Sequence, residues 1–259
     1  TMSALSNKNV LLGVTGGIAA YKICFLTRLF IKKRANVKII MTPDAKKFVS
    51  PLTLSTLSKN TVASSFVDKD DNWINHVEYA KWADLMIIAP LTATTLAKLS
   101  IGLSDNLLIA TYLSSTCPVF IAPAMDLDMY QHPTTFDNLE EVKKHSVEVI
   151  PAESGELASG LDGEGRMAEP ETIIQYTESY FNQQQKLKNQ KILITAGPTQ
   201  EAIDPVRFIG NYSTGKMGYA LAEKALELGA DVTLISGPTH LQLHHRNLSL
   251  IKVKSAEEM

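Results

Sequence analysis

The chain has 259 residues, of which 45% are hydrophobic and 20% charged, and its formal net charge is −2. This balance is typical of a globular protein with one large domain or two domains, and the lack of a basic stripe argues against nucleic acid or an anionic membrane as a partner. No apolar run approaches the roughly 18–20 residues of a membrane helix. Two cysteines, Cys24 and Cys117, form no disulfide framework, so we expect a cytoplasmic protein.

Strand and helix patterns alternate along the first part of the chain. Apolar runs predict strands at 10–13, 37–41, 85–89, 119–122 and 147–150, and helical spacing predicts helices at 18–33, 44–58, 92–99, 106–113 and 172–181. Repeated βα units predict an α/β fold with a doubly wound parallel sheet of the flavodoxin or Rossmann type, which binds ligands at the carboxyl ends of its strands. The glycine-rich segment 151–170 predicts a functional or disordered loop.

Polar residues at 182–190 predict a linker. Beyond it, strands at 192–196, 231–236 and 248–253 and a helix at 215–228 predict the beginning of a second Rossmann-like α/β domain. We therefore expect domains at 1–181 and 191–259. Because a doubly wound domain needs further strands and helices to bury its sheet, we expect the second domain to be incomplete.

Two predicted strand ends carry residues that suit a phosphorylated ligand. Glycines in the segment 13–22 let the backbone approach a ligand, and three threonines in the segment 89–98 precede or begin a helix. A tight βα turn and simple helix capping explain the same residues. Two such openings on one sheet favour a phosphorylated cofactor.

Titratable residues supply further candidates. A lone histidine is more often a structural residue, yet the unperturbed histidine side chain, with a pKa of about 6.5, suits a base at neutral pH, so His76 is a candidate. Asp126 and Asp128 could act as acids, helix caps or metal ligands. Since no further carboxylate or histidine lies at ligand spacing, we expect no metal site.

These motifs occur in the same order in one family. Gly-x-Thr-Gly-Gly-Ile-Ala-Ala-Tyr-Lys, the His76 segment, Pro123-Ala-Met and Gly163-Glu-Gly-Arg-Met167 together resemble the flavin-containing cysteine decarboxylase family. The stretch from Ile192 resembles the start of the phosphopantothenate–cysteine ligases, and the combination is similar to the bifunctional flavoproteins of coenzyme A biosynthesis. The resemblance covers nearly the whole chain.

The resemblance implies FMN-dependent decarboxylation of phosphopantothenoylcysteine to phosphopantetheine. In this family FMN is understood to oxidise the thiol end first, which creates a sink for the electrons released with CO₂, and the reduced flavin then returns electrons. The whole protein would also couple phosphopantothenate to cysteine with CTP and Mg²⁺, an activity that we do not expect from this chain. Family members form trimers, often arranged as dodecamers, through the flavoprotein domain.

The resemblance also assigns residues. His76 would be the catalytic base, and Asn211 would contact the acyl intermediate of the ligase, with 197–199 and 213–217 on its nucleotide side. The cofactor would be surrounded by Gly16, Gly17, Ile18, Thr42, Thr92, Ala93, Thr95, Lys98 and Met125.

Two positions depart from the family pattern. Asp126 stands where the family has an asparagine that holds the substrate carboxylate, and Ser159 stands where a mobile flap carries a cysteine acid. An ionised Asp126 would repel a carboxylate, and a hydroxyl is a weaker acid than a thiol. We favour the hypothesis that other groups, such as protonated Asp126 and Arg166, do this work. Impaired decarboxylation is the second explanation, and an FMN-binding regulatory or inhibitory subunit of the same fold is the alternative function.

Overall fold

The computed structural model describes residues 3–68, 70–184 and 186–259. Contacts divide the chain into two compact units, Thr1–Ser179 and Tyr180–Met259. Each unit has its own hydrophobic core, and each is described by itself below.

The first unit alternates strands and helices. Its strands are β1 (Asn9–Val14), β2 (Asn36–Met41), β3 (Val62–Ala63), β4 (Leu85–Leu91), β5 (Val119–Pro123), β6 (Val147–Val149), β7 (Glu153–Glu156) and β8 (Asp162–Arg166). Its helices are α1 (Lys22–Lys32), α2 (Pro51–Ser58), α3 (His76–Trp82), α4 (Ala93–Ile101), α5 (Leu107–Leu113), α6 (Leu127–Tyr130), α7 (Pro133–Lys144) and α8 (Pro170–Gln184), with 3-10 turns at Ile18–Tyr21 and Pro43–Lys47.

Six strands form one parallel sheet in the order β3-β2-β1-β4-β5-β6. This is the strand order of a Rossmann-type doubly wound sheet, and it confirms the predicted fold class. All seven residues of β4 are buried, and successive side chains of a strand point to opposite faces. Both faces of the sheet are therefore covered, as the continuous apolar runs predict.

The glycine-rich segment 151–170 contains a β-hairpin, so the prediction of a loop was wrong there, while the functional role that was one of its two alternatives stays a prediction. Residues Glu153–Glu156 and Asp162–Arg166 pair as the antiparallel hairpin β7–β8. Neither strand carries an alternating apolar pattern, so the period-2 signal of a strand is missing from the sequence. Helices α3, α6 and α7 and the two-residue strand β3 were also not predicted, because these segments are short or mostly polar.

The predicted linker overlaps a helix. Helix α8 extends to Gln184, three residues into the segment 182–190, where no glycine or proline interrupts it. Residue 185 of that segment lies outside the described residues, as do residues 1 and 2 of the predicted first domain. The exact domain limits stay predictions.

The second unit has a three-stranded parallel sheet in the order β13-β12-β9. Its elements are β9 (Lys191–Ala196), β10 (Gln200–Ala202), β11 (Phe208–Gly210), α9 (Lys216–Glu227), β12 (Asp231–Ser236) and β13 (Leu248–Lys252). The hairpin β10–β11 was not predicted, and the other elements were. Within the described part of the chain, no helix combines the length and the apolar character needed to span a membrane.

Helix α1 packs its apolar face into the core of the first unit, and Phe30 on that face is fully buried. We predict that Phe30→Ala destabilises the first unit by about 3–5 kcal/mol, because it removes buried area and leaves a cavity. Urea unfolding followed by tryptophan fluorescence measures this loss. Phe136→Ala on α7, where the side chain is 63% exposed, is the matched control and should change the free energy of unfolding little. Equal losses of stability in the two variants would contradict the burial of Phe30 in the core.

Candidate functional site

The loops after β1 and β4 meet at the carboxyl ends of the two strands where the strand order changes direction. The Thr15 hydroxyl donates a hydrogen bond of 2.6 Å to the Pro90 carbonyl and accepts one of 3.2 Å from the Thr92 N–H. Thr92 in turn caps α4, where its Oγ1 accepts from the Thr95 N–H at 3.4 Å. The two predicted motifs are thus joined at the point where doubly wound sheets bind ligands.

Glycine is required in the first of these loops by close packing. A Cβ atom at Gly16 would lie 2.8 Å from the Cβ of Asp44, in the 3-10 turn that follows β2. A Cβ at Gly17 would lie 3.5 Å from Thr92 Cγ2. Thr42, which caps the 3-10 turn, donates its N–H to the Val14 carbonyl. The structure therefore groups four predicted cofactor residues at one end of the sheet.

Lys98 already has a partner in this region. Its Nζ lies 2.6 Å from a carboxylate oxygen of Asp105, and this hydrogen bond holds the pKa of Asp105 below its usual range. Ala93 is the first residue of α4, directly after the Thr92 cap. The α4 N-terminus offers free N–H groups to an anion, whereas Lys98 would have to leave Asp105 to bind one.

Strand β8 lies directly against the segment that follows β5. The Met125 N–H donates to the Gly165 carbonyl at 3.0 Å, and a Cβ at Gly165 would collide with the Met125 carbonyl oxygen. A Cβ at Gly163, two residues earlier on the same face, would lie 2.6 Å from a methyl carbon of Leu127. Gly165 therefore has no room for a side chain, whereas a side chain at Gly163 would have to displace the flexible end of Leu127.

This packing encloses a cavity of about 490 Å³ between the hairpin, the loop after β1 and the segment after β5. Six residues that the sequence nominated line it, although they come from three distant parts of the chain. They are Gly17, Ile18, Met125, Asp126, Ser159 and Arg166.

The two residues that depart from the family pattern contact each other. The Ser159 hydroxyl donates a hydrogen bond of 2.7 Å to Asp126 Oδ1, and the same oxygen accepts from the Leu127 N–H at 2.9 Å. Asp126 therefore caps α6 and also holds the turn of the β7–β8 hairpin. No sequence signal predicted this pair, since the two residues are 33 positions apart.

A second cluster at the cavity was missed by sequence analysis. Lys22 Nζ lies 2.7 Å from Glu169 Oε1 and 3.1 Å from the Met167 carbonyl, and Arg166 Nη2 lies 3.1 Å from the same Glu169 oxygen. Lys22, followed by Arg166, holds the pKa of Glu169 below its usual range. A lysine at a buried position of an amphipathic helix was the available signal, because such a charge needs a partner.

His76 lies outside the lining of this cavity. Asn75 caps α3, and His76 is its first residue. The imidazole has edge-to-face contacts with Phe66 and Trp73, each with ring centroids 6.2 Å apart. Its Nδ1 is buried and has no hydrogen-bond partner among the described residues. Such a nitrogen costs roughly 1–3 kcal/mol unless a ligand or another molecule pairs with it.

In the second unit, the loops after β9 and β12 approach closely. Gly197 has a positive φ of 81°, and a Cβ there would lie 3.2 Å from the Gly237 carbonyl oxygen. The loop after β12 and the end of β13 border a cavity of about 870 Å³ that Ser213, Thr214 and Lys216 also line, whereas the predicted residues 197–199 do not line it. The Asn211 side chain is exposed and accepts from the Ser213 N–H at 2.9 Å. Asn211 itself does not line that cavity.

Comparison with known proteins gives matches along the whole chain. The family model described as flavoprotein matches residues 1–182, and the one described as DNA/pantothenate metabolism flavoprotein C-terminal domain matches residues 187–259. The coenzyme A biosynthesis bifunctional protein CoaBC of Bacillus subtilis is 48% identical over 258 residues, which are 98% of this chain and 64% of that protein. The chain thus spans less than two thirds of this relative.

Two further proteins are similar. A cysteine/cysteine sulfinic acid decarboxylase from an unknown prokaryotic organism is 50% identical over 216 residues, covering 82% of this chain and 60% of that one. The solved structure of a cysteine-to-serine mutant of PPC decarboxylase, complexed with pantothenoylaminoethenethiol, has a TM-score of 0.61 and 34% identity over 68% of this chain and 98% of its own. The strand order, the switch-point loops and these matches agree, and the chain belongs to the flavoprotein family.

Proposed function

We propose that the first unit decarboxylates phosphopantothenoylcysteine to phosphopantetheine with FMN as its cofactor. The observation that carries this proposal is the cavity at the hairpin, where Asp126, Ser159 and Arg166 meet the glycine loop after β1. A flavin family, a bifunctional relative in coenzyme A biosynthesis and a similar PPC decarboxylase structure support it.

The residues at the switch point fit a flavin mononucleotide. Gly16 and Gly17 allow close approach of the backbone, and the Thr92-capped N-terminus of α4 suits a phosphate group. When bound, the flavin supplies a two-electron acceptor for the thiol end of the substrate and later returns the electrons. This redox chemistry supplies the electron sink that the loss of CO₂ requires.

The chain's own residues would bind the substrate and move protons. We assign the role of base to His76, whose buried Nδ1 has no hydrogen-bond partner among the described residues. Arg166 would attract an acidic group of the substrate, since a guanidinium recognises oxyanions. The Ser159 hydroxyl is placed by Asp126 and would donate a hydrogen bond to the substrate only after leaving that carboxylate.

The direct test is release of CO₂ from phosphopantothenoylcysteine by the FMN-loaded protein. We expect turnover, and we expect His76→Gln to lower kcat by about 10²–10⁴-fold, the usual contribution of a general base. His145→Gln, at an exposed position after α7, is the control and should leave the rate unchanged. FMN-loaded protein that releases no CO₂ would overturn the proposal and favour a regulatory, non-catalytic flavoprotein.

A second candidate reaction is decarboxylation of free cysteine or cysteine sulfinate. Phosphopantothenoylcysteine carries an amide where cysteine carries an ammonium group. A carboxylate at Asp126 attracts an ammonium group and repels a substrate carboxylate. A relative 50% identical to this chain is named a cysteine/cysteine sulfinic acid decarboxylase, which favours this reaction as the alternative.

Asp126→Asn separates the two candidates. If Asp126 pairs with an ammonium group, the variant should have a kcat/KM for cysteine that is lower by about tenfold or more, a loss of roughly 1.4 kcal/mol of transition-state stabilisation. The variant should bind phosphopantothenoylcysteine at least as tightly as the wild-type protein does. Asp128→Asn, two residues further on an exposed position of α6, is the matched control. Substantially weaker binding of phosphopantothenoylcysteine by Asp126→Asn would show that Asp126 serves that larger substrate.

We also propose that the first unit self-associates, as a trimer or as a dodecamer built from four trimers. Ile18 and Tyr21 in the 3-10 turn before α1 and Phe25 in α1 are 52–63% exposed, an unusual group of large apolar side chains at one surface position of the chain. Light scattering should give a mass of at least three times 28.4 kDa, and Phe25→Glu should reduce it. Phe136→Glu is the control; a monomeric wild-type protein would contradict this proposal.

For the whole protein we propose a second activity, coupling of phosphopantothenate to cysteine with CTP and Mg²⁺. Support comes from the relative's description as bifunctional and from the cavity lined by Thr214 and Lys216 at the carboxyl ends of β12 and β13. Calorimetry on this chain should detect CTP, with binding weakened by Lys216→Ala because an ammonium group next to phosphates is lost. An unchanged dissociation constant in that variant would place CTP elsewhere.

A further inference from the structure

Lys22 is an unusual residue on the wall of the hairpin cavity. It is the first residue of α1, its side chain is 7% exposed, and it lines the cavity. Two acceptors lie within hydrogen-bond distance of its Nζ, Glu169 Oε1 and the Met167 carbonyl. An ammonium group has three N–H donors, so one donor remains for a ligand in the cavity.

Arg166 reaches the same carboxylate from the opposite element. Its side chain leaves β8 and crosses Gly155 of β7, where a Cβ would lie 2.8 Å from Nη1. Its Nη2 then ends 3.1 Å from Glu169 Oε1, the oxygen that also accepts from Lys22. The lack of a side chain at Gly155 opens this path, and Glu169 determines where the guanidinium stops.

Glu169 is itself held firmly. Its backbone N–H donates to Glu153 Oε1 at 3.1 Å, and the same Glu153 oxygen accepts from the Thr172 hydroxyl at 3.0 Å. Glu153 thereby ties β7 to the start of α8. The lowered pKa of Glu169 is consistent with a charged carboxylate at neutral pH.

The charged groups around Glu169 balance formally. Lys22 and Arg166 face the Glu169 carboxylate, and the Glu153 carboxylate accepts from the Glu169 N–H beside them. Both cations nevertheless line the cavity, together with two acidic residues. Each cation has more N–H donors than these acceptors occupy, and such donors bind an oxyanion through charge-assisted hydrogen bonds.

We propose that Glu169 is a positioning residue that holds Lys22 and Arg166 on one wall of the cavity as a binding site for an oxyanion, the carboxylate or the phosphate of the substrate. This inference deepens the proposed decarboxylase function and depends on it for the chemistry of the probe. Glu169 does not touch the substrate and acts through the two cations.

The experiment measures binding rather than turnover. The probe is S-methyl phosphopantothenoylcysteine, whose blocked sulfur prevents oxidation of the thiol, titrated into the FMN-loaded full chain by calorimetry. We expect Glu169→Gln to raise Kd by about tenfold, because the two cations lose their common anchor, and Glu169→Asp to show a smaller increase. Glu171→Gln, an exposed glutamate in the first turn of α8, is the matched control and should not change Kd.

A double-mutant cycle distinguishes positioning from a general effect on folding. If Glu169 acts through Arg166, Glu169→Gln should have little further effect on Kd in an Arg166→Gln background. Independent, additive losses would overturn the proposal. So would tighter binding by Glu169→Gln, since it would show that Glu169 competes with the ligand for the cations. Unchanged melting temperature and FMN content in each variant exclude misfolding as the cause.

A second probe identifies the oxyanion. S-methyl phosphopantetheine lacks the carboxylate and keeps the phosphate. If Glu169→Gln weakens binding of this probe equally, the wall holds the phosphate; if the effect disappears, it holds the carboxylate. If Glu169→Gln changes the Kd of neither probe, the inference is overturned. If Glu169→Gln weakens binding as expected but the protein releases no CO₂, only the proposed reaction is overturned.

Discussion

The arrangement of the first unit depends on one constraint, the change in strand order between β1 and β4. Connections leave these two central strands in opposite directions, so the loops at their carboxyl ends diverge and leave a crevice. Thr15 bridges the loops by hydrogen bonds to the backbone of Pro90 and Thr92. The two loops are therefore joined by hydrogen bonds, and the N-terminus of α4 lies directly after the second loop.

A second constraint, the absence of side chains on one face of β8, brings the hairpin onto the segment after β5 and forms one wall of the cavity. At Gly165 the strand lies at backbone contact distance from Met125, and at Gly163 it packs on the Leu127 side chain. A side chain at Gly165 would collide with the Met125 carbonyl and displace the hairpin, and with it Ser159 at the turn and Arg166 at the end of β8. The same glycines that remove the strand signal from the sequence are the ones that hold the hairpin in place.

Charge is distributed unequally in the resulting cavity. Lys22 and Arg166 share Glu169, whereas Asp126 accepts from Ser159 and from the α6 N-terminus. A ligand that carries its acidic group near Lys22 and Arg166 and a basic or polar group near Asp126 would match this distribution. Asp126 and Ser159 are joined by one hydrogen bond, so a change at either residue would remove a partner of the other.

The sequence by itself determined the fold class and most of the elements of the central sheet, because buried parallel strands and amphipathic helices have periodic apolar patterns. It also nominated Gly17, Met125, Asp126, Ser159 and Arg166, through motifs and a family resemblance. It could not predict the β7–β8 hairpin, whose stability comes from contact with residues 125–127 and not from its own pattern. Only the tertiary structure decided that Ser159 meets Asp126 and that Lys22 and Arg166 share Glu169, because hydrogen bonds between residues 33 to 147 positions apart exist only once the sheet has brought its loops together.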